Sequence, residues 1–273
     1  MRLACVYLPV FPLQMEVRQQ PQLAGRAVVV VGAGTRPEVV ACSRAAFQAG
    51  VREGMSPCQA RARVGDLTAV VGSPRRWREE LSDLAAEIAA LSAPGAGVDT
   101  SEALRGEGVV AHPVLFAPVP AGQRSDRFAR KLLDVTAARR MSARVGIAAD
   151  RFTARAAARV RGGAPVAVVS RAHAAAFLAP LSIDLLPLRE EVRVLLHAAG
   201  VHTLGEFAAL PPPTIACRAA GAVDYQELAR GQAPGEPCPR ASTLAPRLPA
   251  RPAPTRRASA RRGPGERQLD LAS

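Results

Sequence analysis

An apolar run at the start of the chain, residues 3–13, is the feature that most limits how the 273 residues can fold. The run continues into Gln14, Met15 and Glu16. Its pattern predicts a buried strand over residues 2–10 that leads through a turn into a helix. The run contains no aspartate. This absence bears on function, as the motifs further along the chain show.

Arg2, ahead of the apolar run, gives the N-terminus one property of a secretory signal peptide. However, Pro9 and Pro12 interrupt the run, and no small-residue cleavage site precedes Glu16 and Arg18. We therefore favour a mature segment over a signal peptide. No apolar run approaches the roughly 20 residues that span a bilayer, so we expect a soluble, cytoplasmic protein with no membrane partner.

The chain is strongly basic, with 36 lysines and arginines against 23 acidic residues and a net charge of +13. Codon bias in a GC-rich genome explains a preference for arginine over lysine, but it does not explain the excess of charge. The excess favours a polyanionic partner such as nucleic acid.

Residues 233–267 concentrate this charge, because they hold eight arginines and almost no large apolar residues. Such a segment cannot bury enough apolar surface to offset the loss of chain entropy. We therefore predict a disordered basic tail over residues 233–273. The arginines are Arg240, Arg247, Arg251, Arg256, Arg257, Arg261, Arg262 and Arg267.

The cysteines indicate a reducing compartment and little else. They are odd in number, scattered, and without the paired spacing of a zinc site or a disulfide framework. We therefore expect no bound metal from these residues. They are Cys5, Cys42, Cys58, Cys217 and Cys238.

Periodicity predicts an irregular alternation of strands and helices. Strands are expected at residues 27–31, 38–42, 67–71, 109–116, 143–148 and 166–170, and helices at residues 43–49, 56–64, 74–91, 124–140, 151–161 and 171–178. Residues 188–231 are expected to be helical, with breaks at residues 200–203 and 211–213. This order favours an α+β fold, an antiparallel or mixed sheet with helices packed on one face.

Two blocks in the first third carry a resemblance to a known family. Residues 21–32 (PQLAGRAVVVVG) and 39–60 (VVACSRAAFQAGVREGMSPCQA) resemble the N-terminal region of Y-family DNA polymerases, the translesion class of DinB and UmuC. Within this family, the residues of the two blocks are most similar to those of the catalytically inactive ImuB-like proteins of mutagenesis cassettes. A weaker resemblance covers residues 143–169.

The resemblance implies a domain arrangement. It places a palm with small fingers in residues 1–185, a helical thumb with a helix-hairpin-helix in residues 186–232, and the tail in residues 233–273. The further DNA-gripping domain of the family, the little finger, is expected to be missing, because the tail has no strand pattern.

The family needs two Mg²⁺ ions held by carboxylates, one to activate the primer hydroxyl and one to bridge the triphosphate. The resemblance places its two first-strand ligand positions at Tyr7 and Pro9. It places the later Asp-Glu pair at Ser101 and Glu102, so that only the glutamate is kept. These departures predict that the chain does not polymerise DNA and holds no cofactor.

The nucleotide-gripping positions of the family depart as well. Its triphosphate-binding Tyr and Arg fall at Arg44 and Phe47 of this chain. Arg151 and Arg155 fall where the family has lysine, and either a solvated helix face or a phosphate contact fits them.

The predicted helix-hairpin-helix lies at residues 194–210. Glycine permits a tight turn, and free N–H groups at the start of the second helix can contact a phosphate without reading bases. Packing motifs of similar appearance are common, so the interpretation depends on its place after the palm. The proposed DNA-contacting residues are Gly200, Val201, Thr203 and Gly205.

The last residues resemble the bacterial sliding-clamp motif. Gln268 would supply hydrogen bonds, and Leu269 and Leu271 would be apolar anchors. Asp270 is the motif residue between the two leucines. Ala272 replaces the bulky terminal anchor and should weaken binding. A short leucine-containing match also arises by chance.

The leading hypothesis is a non-catalytic adaptor in DNA-damage tolerance or induced SOS mutagenesis, acting at the nucleoid. Its expected partners are DNA and the sliding clamp, and the resemblance implies a RecA-like accessory protein and a specialised replicative-type polymerase. One alternative is an active translesion polymerase with displaced carboxylates, which would need Mg²⁺. Another is a degenerate, truncated relative without present function.

Overall fold

The computed structural model describes residues 1–33, 35–92, 95, 97–105, 108–160, 163–210 and 225–232. The strands are β1 (Leu3–Tyr7), β2 (Val28–Val31), β3 (Val39–Cys42), β4 (Thr68–Val71), β5 (Leu104–Arg105), β6 (Gly108–Val109), β7 (Val114–Pro118), β8 (Arg144–Ala148) and β9 (Val166–Val168).

The helices are α1 (Phe11–Gln19), α2 (Arg44–Gln48), α3 (Pro57–Arg63), α4 (Pro74–Leu91), α5 (Ser125–Ala138), α6 (Arg151–Arg159), α7 (Ala174–Leu178), α8 (Glu190–Ala198), α9 (Leu204–Ala209) and α10 (Tyr225–Ala229). The predicted tail and clamp segment lie outside the described residues. In the part of the chain that is described, no helix is long and apolar enough to cross a membrane.

The first strand occupies a central position in the larger sheet, whose order is β7-β1-β8-β9. It pairs antiparallel with β7 and with β8, while β9 runs parallel to β8. The strand ends at Tyr7, and Val10 takes a left-handed conformation (φ 42°) just before α1 begins at Phe11. The predicted order of strand, turn and helix is confirmed, but the strand ends at Tyr7 and not at residue 10.

Alternate residues of the first strand face two different layers. Ala4 and Val6 join the main core, which also contains Trp77 of α4 and Phe128 of α5. Cys5 faces the other way, in a cluster with residues of α6. The prediction that helices pack on one face only is therefore wrong.

Gly146 in β8 explains the second layer. A β-carbon at this position would lie 2.1 Å from the carbonyl oxygen of Ala154 and 2.5 Å from the amide nitrogen of Ala158. Only glycine lets α6 pack this closely on the sheet. The close approach sets the depth of α6, and with it the position of the α6 side chains.

The second sheet has the order β3-β2-β4. Every residue of β2 is buried, as its unbroken valine run predicts. Ser43 caps α2, and Ser56 and Gln59 form a reciprocal capping box at the start of α3. Ser43 and Ser56 are the first residues of the predicted helices at 43–49 and 56–64, and the structure places a cap at each.

The predicted strand at residues 109–116 is wrong, because β6 ends at Val109 and β7 begins at Val114. The intervening loop pairs with the turn after β1. Phe11 donates its amide hydrogen to the Ala111 carbonyl at 2.9 Å, and Val10 donates to Nδ1 of His112 at 3.0 Å.

The helices after α7 share an apolar cluster whose buried members include Leu196, Leu204 and Phe207. Phe152 of α6 belongs to the same cluster. The packing is therefore continuous from α6 into α8 and α9, and the predicted boundary at residues 185 and 186 stays a prediction.

Candidate functional site: carboxylates and arginines beside the first strand

Tyr7 at the end of β1 lies in a hydrogen-bonded group of side chains. Its hydroxyl is 3.2 Å from Nδ1 of His112, which also accepts the amide hydrogen of Val10. An amide can only donate, so Nδ1 is unprotonated in the neutral ring and the proton is assigned to Nε2. Nε2 lies 3.3 Å from a carboxylate oxygen of Glu53, which comes from the loop between α2 and α3.

Asp99 is fixed beside the same sheet. It forms an isolated antiparallel bridge with Phe116 of β7, with backbone hydrogen bonds of 2.9 and 3.0 Å. Its Oδ1 accepts the Ser101 amide at 2.8 Å, and its Oδ2 lies 2.5 Å from Nη1 of Arg151. Both oxygens of this buried carboxylate therefore have partners within the protein.

Glu102, three residues further on, is also paired. Arg155 donates from Nη1 to Oε2 of Glu102 at 2.8 Å, and Nη2 of Arg151 lies 3.6 Å from Oε1. The guanidinium of Arg151 also stacks 4.2 Å above the ring of Phe116. Two carboxylates and two guanidinium groups thus form one cluster on the α6 side of the sheet.

The sequence of α6 explains how both arginines reach the cluster. Arg151 and Arg155 are four residues apart, so they lie one above the other on one helix face. Asp150 begins the helix by accepting the Thr153 amide at 2.8 Å. The glycine at position 146 beneath the helix brings this face close to Asp99.

The surroundings of Asp99 favour its ionised form. Burial raises the pKa of this carboxyl, but hydrogen bonds from Ser101 and Arg151 and the charge of Arg151 outweigh burial, and the pKa is below its usual value. The ion pair with Arg151 therefore persists at neutral pH.

This donor set does not fit a pair of Mg²⁺ ions. Tyr7, Pro9 and Ser101 offer no anionic oxygen, and the two carboxylates of the cluster already bind arginines. Among the described residues, no group of three His, Cys, Asp or Glu side chains is arranged to hold a metal. Arg151 and Arg155, predicted as DNA contacts, bind these carboxylates, and their contact with a phosphate stays a prediction.

Arg44 and Phe47 lie on the outer face of α2, and both are exposed. Phe47 is stacked against the guanidinium of Arg52, whose Cζ is 4.0 Å from the ring centroid. In the described part of the chain, no hydrogen bond joins Arg44 or Phe47 to the carboxylate–arginine cluster.

The amides predicted to contact a phosphate in the helix-hairpin-helix are hydrogen-bonded within the protein. The amides of His202 and Thr203 donate to the Glu206 carboxylate at 2.8 and 2.9 Å. The amide of Glu206 in turn donates to Oγ1 of Thr203 at 3.2 Å. Leu204 donates to the Leu181 carbonyl at 2.8 Å.

The remaining predicted donors are engaged as well. Gly205 donates to the Ala179 carbonyl, Gly200 to His197 and Val201 to Leu196. No amide of residues 200–206 is thus free to bind a phosphate, and the carboxylate at position 206 adds a negative charge. Gly200 has φ 80° at the turn. The predicted contact of this segment with DNA stays a prediction.

Sequence reasoning missed Glu53 and His112 as neighbours of Tyr7. Both lie more than forty residues from it in the chain, so no local spacing could have joined them. The available signal was the His112–Pro113 pair inside an apolar stretch that was otherwise typical of a strand.

The fold of the described residues is that of the Y-family DNA polymerases. DinB from Sulfolobus solfataricus is similar over 88% of this chain and 70% of its own, with 20% identity and a TM-score of 0.69. An insertion ternary complex of Dbh DNA polymerase is similar over 87% and 69% of the two chains, with 19% identity and a TM-score of 0.70. A Y-family DNA polymerase chimera of Dbh and Dpo4 is similar over 88% of this chain and 70% of its own, with 20% identity and a TM-score of 0.65.

The sequence gives the family directly. A family model described as impB/mucB/samB matches residues 6–159, more than half of the chain. The chain therefore belongs to the impB/mucB/samB family, and the match includes the last two residues of β1, the cluster and both of its arginines.

Proposed function

We propose that this chain is a non-catalytic homologue of the Y-family polymerases, similar to ImuB, that acts as an adaptor in DNA-damage tolerance or induced mutagenesis. One observation carries the proposal. Tyr7 stands where the resemblance expects a metal-binding aspartate, and Arg151 and Arg155 form ion pairs with Asp99 and Glu102 on the α6 side of the same sheet.

The physical argument concerns charge. The positive groups that neutralise the two carboxylates are covalently part of α6, so they are present at high effective concentration whatever the metal concentration in solution. A divalent ion would have to displace a guanidinium from a carboxylate that is 6% exposed. Breaking such a pair leaves an uncompensated charge, which is strongly unfavourable.

DNA is the proposed partner of the whole chain, with the phosphate contacts supplied mainly by arginines and hence strongly dependent on salt. The proposal keeps the sliding clamp as a second partner, bound through Gln268, Leu269, Asp270 and Leu271. A RecA-like accessory protein and a specialised replicative-type polymerase would complete the assembly at the nucleoid.

Primer extension tests the catalytic part of this proposal. The full chain is incubated with a primed template, undamaged or carrying an abasic site, and with Mg²⁺ or Mn²⁺. We expect no incorporation by the natural chain and no difference in a Glu102→Gln variant. Incorporation by the natural chain that disappears in Glu102→Gln would support the active polymerase with displaced carboxylates.

A further inference from the structure

Phe47 is an unusually exposed aromatic residue. Its side chain is 44% exposed, whereas every other Phe, Tyr and Trp in the described part of the chain is buried or half-buried. It lies on α2, whose Ala46 faces the core while Arg44 faces solvent. Phe47 is therefore not part of any apolar core cluster of the described residues.

Arg52 is held over this ring by the backbone. Its Cζ is 4.0 Å from the ring centroid, and its Nη1 donates to the carbonyl oxygens of Phe47 and Val51 at 2.7 and 2.8 Å. These bonds hold the Nη1 end of the guanidinium beside the ring. None of the ion pairs among the described residues involves Arg52, and the carboxylate of the adjacent Glu53 lies 3.3 Å from Nε2 of His112.

The surrounding surface is cationic. Arg63 donates to the carbonyl of Gly50 at 3.5 Å, which places a second guanidinium at the C-terminal end of α2. Residues 26–66 contain six arginines against three acidic residues. A flat ring, a fixed guanidinium and excess positive charge are the combination on which unpaired bases stack while phosphates are attracted nearby.

We propose that Phe47 and Arg52 form a stacking site for an unpaired base of single-stranded DNA. The bases of a duplex stack on each other and are not available to such a surface, so the site selects single strands with little sequence preference. The inference deepens the DNA-binding part of the proposed function. It does not depend on whether the chain polymerises.

Anisotropy of a labelled oligothymidylate of about 12 nucleotides tests the site with the full chain. We expect Phe47→Ala to bind about ten-fold more weakly than the natural chain, with the same dependence on salt. Gln48→Ala, at the next exposed position of α2, should bind as the natural chain does. Because Phe47 is exposed, its removal should leave the thermal unfolding curve unchanged.

Phe47→Trp supplies a second readout that does not depend on the loss of binding. This variant should bind the oligonucleotide with the affinity of the natural chain, and the oligonucleotide should quench the emission of the new tryptophan. The natural chain, whose Trp77 is buried, is the control for emission that does not come from position 47. Unchanged affinity in Phe47→Ala would overturn the proposal, and so would unquenched emission at saturation. An equal loss in Gln48→Ala, or equal competition by a duplex of the same length, would also overturn it.

These outcomes are separable from those of the proposed function. Primer extension decides whether the chain is catalytic, whatever the oligonucleotide does. A natural chain that fails to bind the oligonucleotide at low salt overturns the stacking site and leaves the extension result untouched.

Discussion

Nη1 of Arg155 donates to Oε2 of Glu102 at 2.8 Å, so that α6 is joined to the loop in front of β5. The same helix face brings Arg151 to Asp99 at 2.5 Å. Family resemblance expects carboxylates free to bind metal at this place. The structure instead has carboxylates whose partners are part of the chain, which is why we assign them a structural role.

Arg151→Ala should destabilise the fold by about 3 kcal/mol, because Asp99 is buried and would lose its neutralising charge. Urea denaturation at neutral pH measures the effect. Arg75→Ala is the matched control, since that side chain is 90% exposed in its pair with Glu79 and should change stability by less than about 0.5 kcal/mol. Equal small effects in both variants would show that the buried pair is not needed.

A second prediction concerns acid stability. Arg18 donates two hydrogen bonds to Glu80, at 2.9 and 2.7 Å, and Arg139 donates a third at 2.7 Å, so that α1, α4 and the end of α5 are joined. The hydrogen bond from Arg18, reinforced by Arg139, lowers the pKa of Glu80 against the opposing effect of burial.

A lowered carboxyl pKa stabilises the fold above the usual glutamate pKa, and this contribution is lost as the pH falls through the lowered value. The natural chain should therefore exceed Glu80→Gln in stability by about 1–2 kcal/mol at neutral pH. The difference should shrink as the pH falls below about 4. Urea titrations over a pH series measure it, and a difference that stays constant in acid would contradict the assignment.

Gly146→Ala should destabilise the fold by about 3 kcal/mol, because the new methyl group would meet the backbone of α6. Thermal and urea unfolding measure the loss. Gly65→Ala is the control: its β-carbon would meet nothing within 4 Å, so it should be neutral or slightly stabilising. If Gly146→Ala unfolds like the natural chain, α6 does not lie as close to β8 as described.

Local patterns were sufficient to predict most of the elements. The buried valines of β2, the caps at Ser43 and Ser56, and the amphipathic helix at residues 74–91 each depend on neighbours within a few residues. Such interactions are visible in the sequence as spacing and residue type. A helix after the first strand was also predicted, but not the residue at which it begins.

The contacts between distant residues could not be predicted in the same way. Glu16 is buried because Arg76 donates to it at 2.6 Å and the Trp77 indole at 3.0 Å, some sixty residues away. The cluster of Asp99, Glu102 and the two α6 arginines depends on the close packing of α6. A glycine in a strand is compatible with such packing but does not specify it.

The hydrogen bonds at the predicted phosphate site could not be predicted for a related reason. The sequence showed a glycine turn followed by a helix start, and this was correct. Thr203 and Glu206 have capping-box spacing. The sequence did not show that the Glu206 carboxylate would accept hydrogen bonds from the amides of both residues 202 and 203. The same amides cannot serve both the cap and a phosphate.

Binding of Mn²⁺, followed by electron paramagnetic resonance of the free ion, tests the central claim most directly. The claim is that Arg151 and Arg155 already neutralise Asp99 and Glu102, so the full chain should leave the free Mn²⁺ signal unchanged, as should Glu102→Gln. A bound ion in the natural chain that is lost in both Glu102→Gln and Asp99→Asn would show that the carboxylates hold metal. That result would contradict the account.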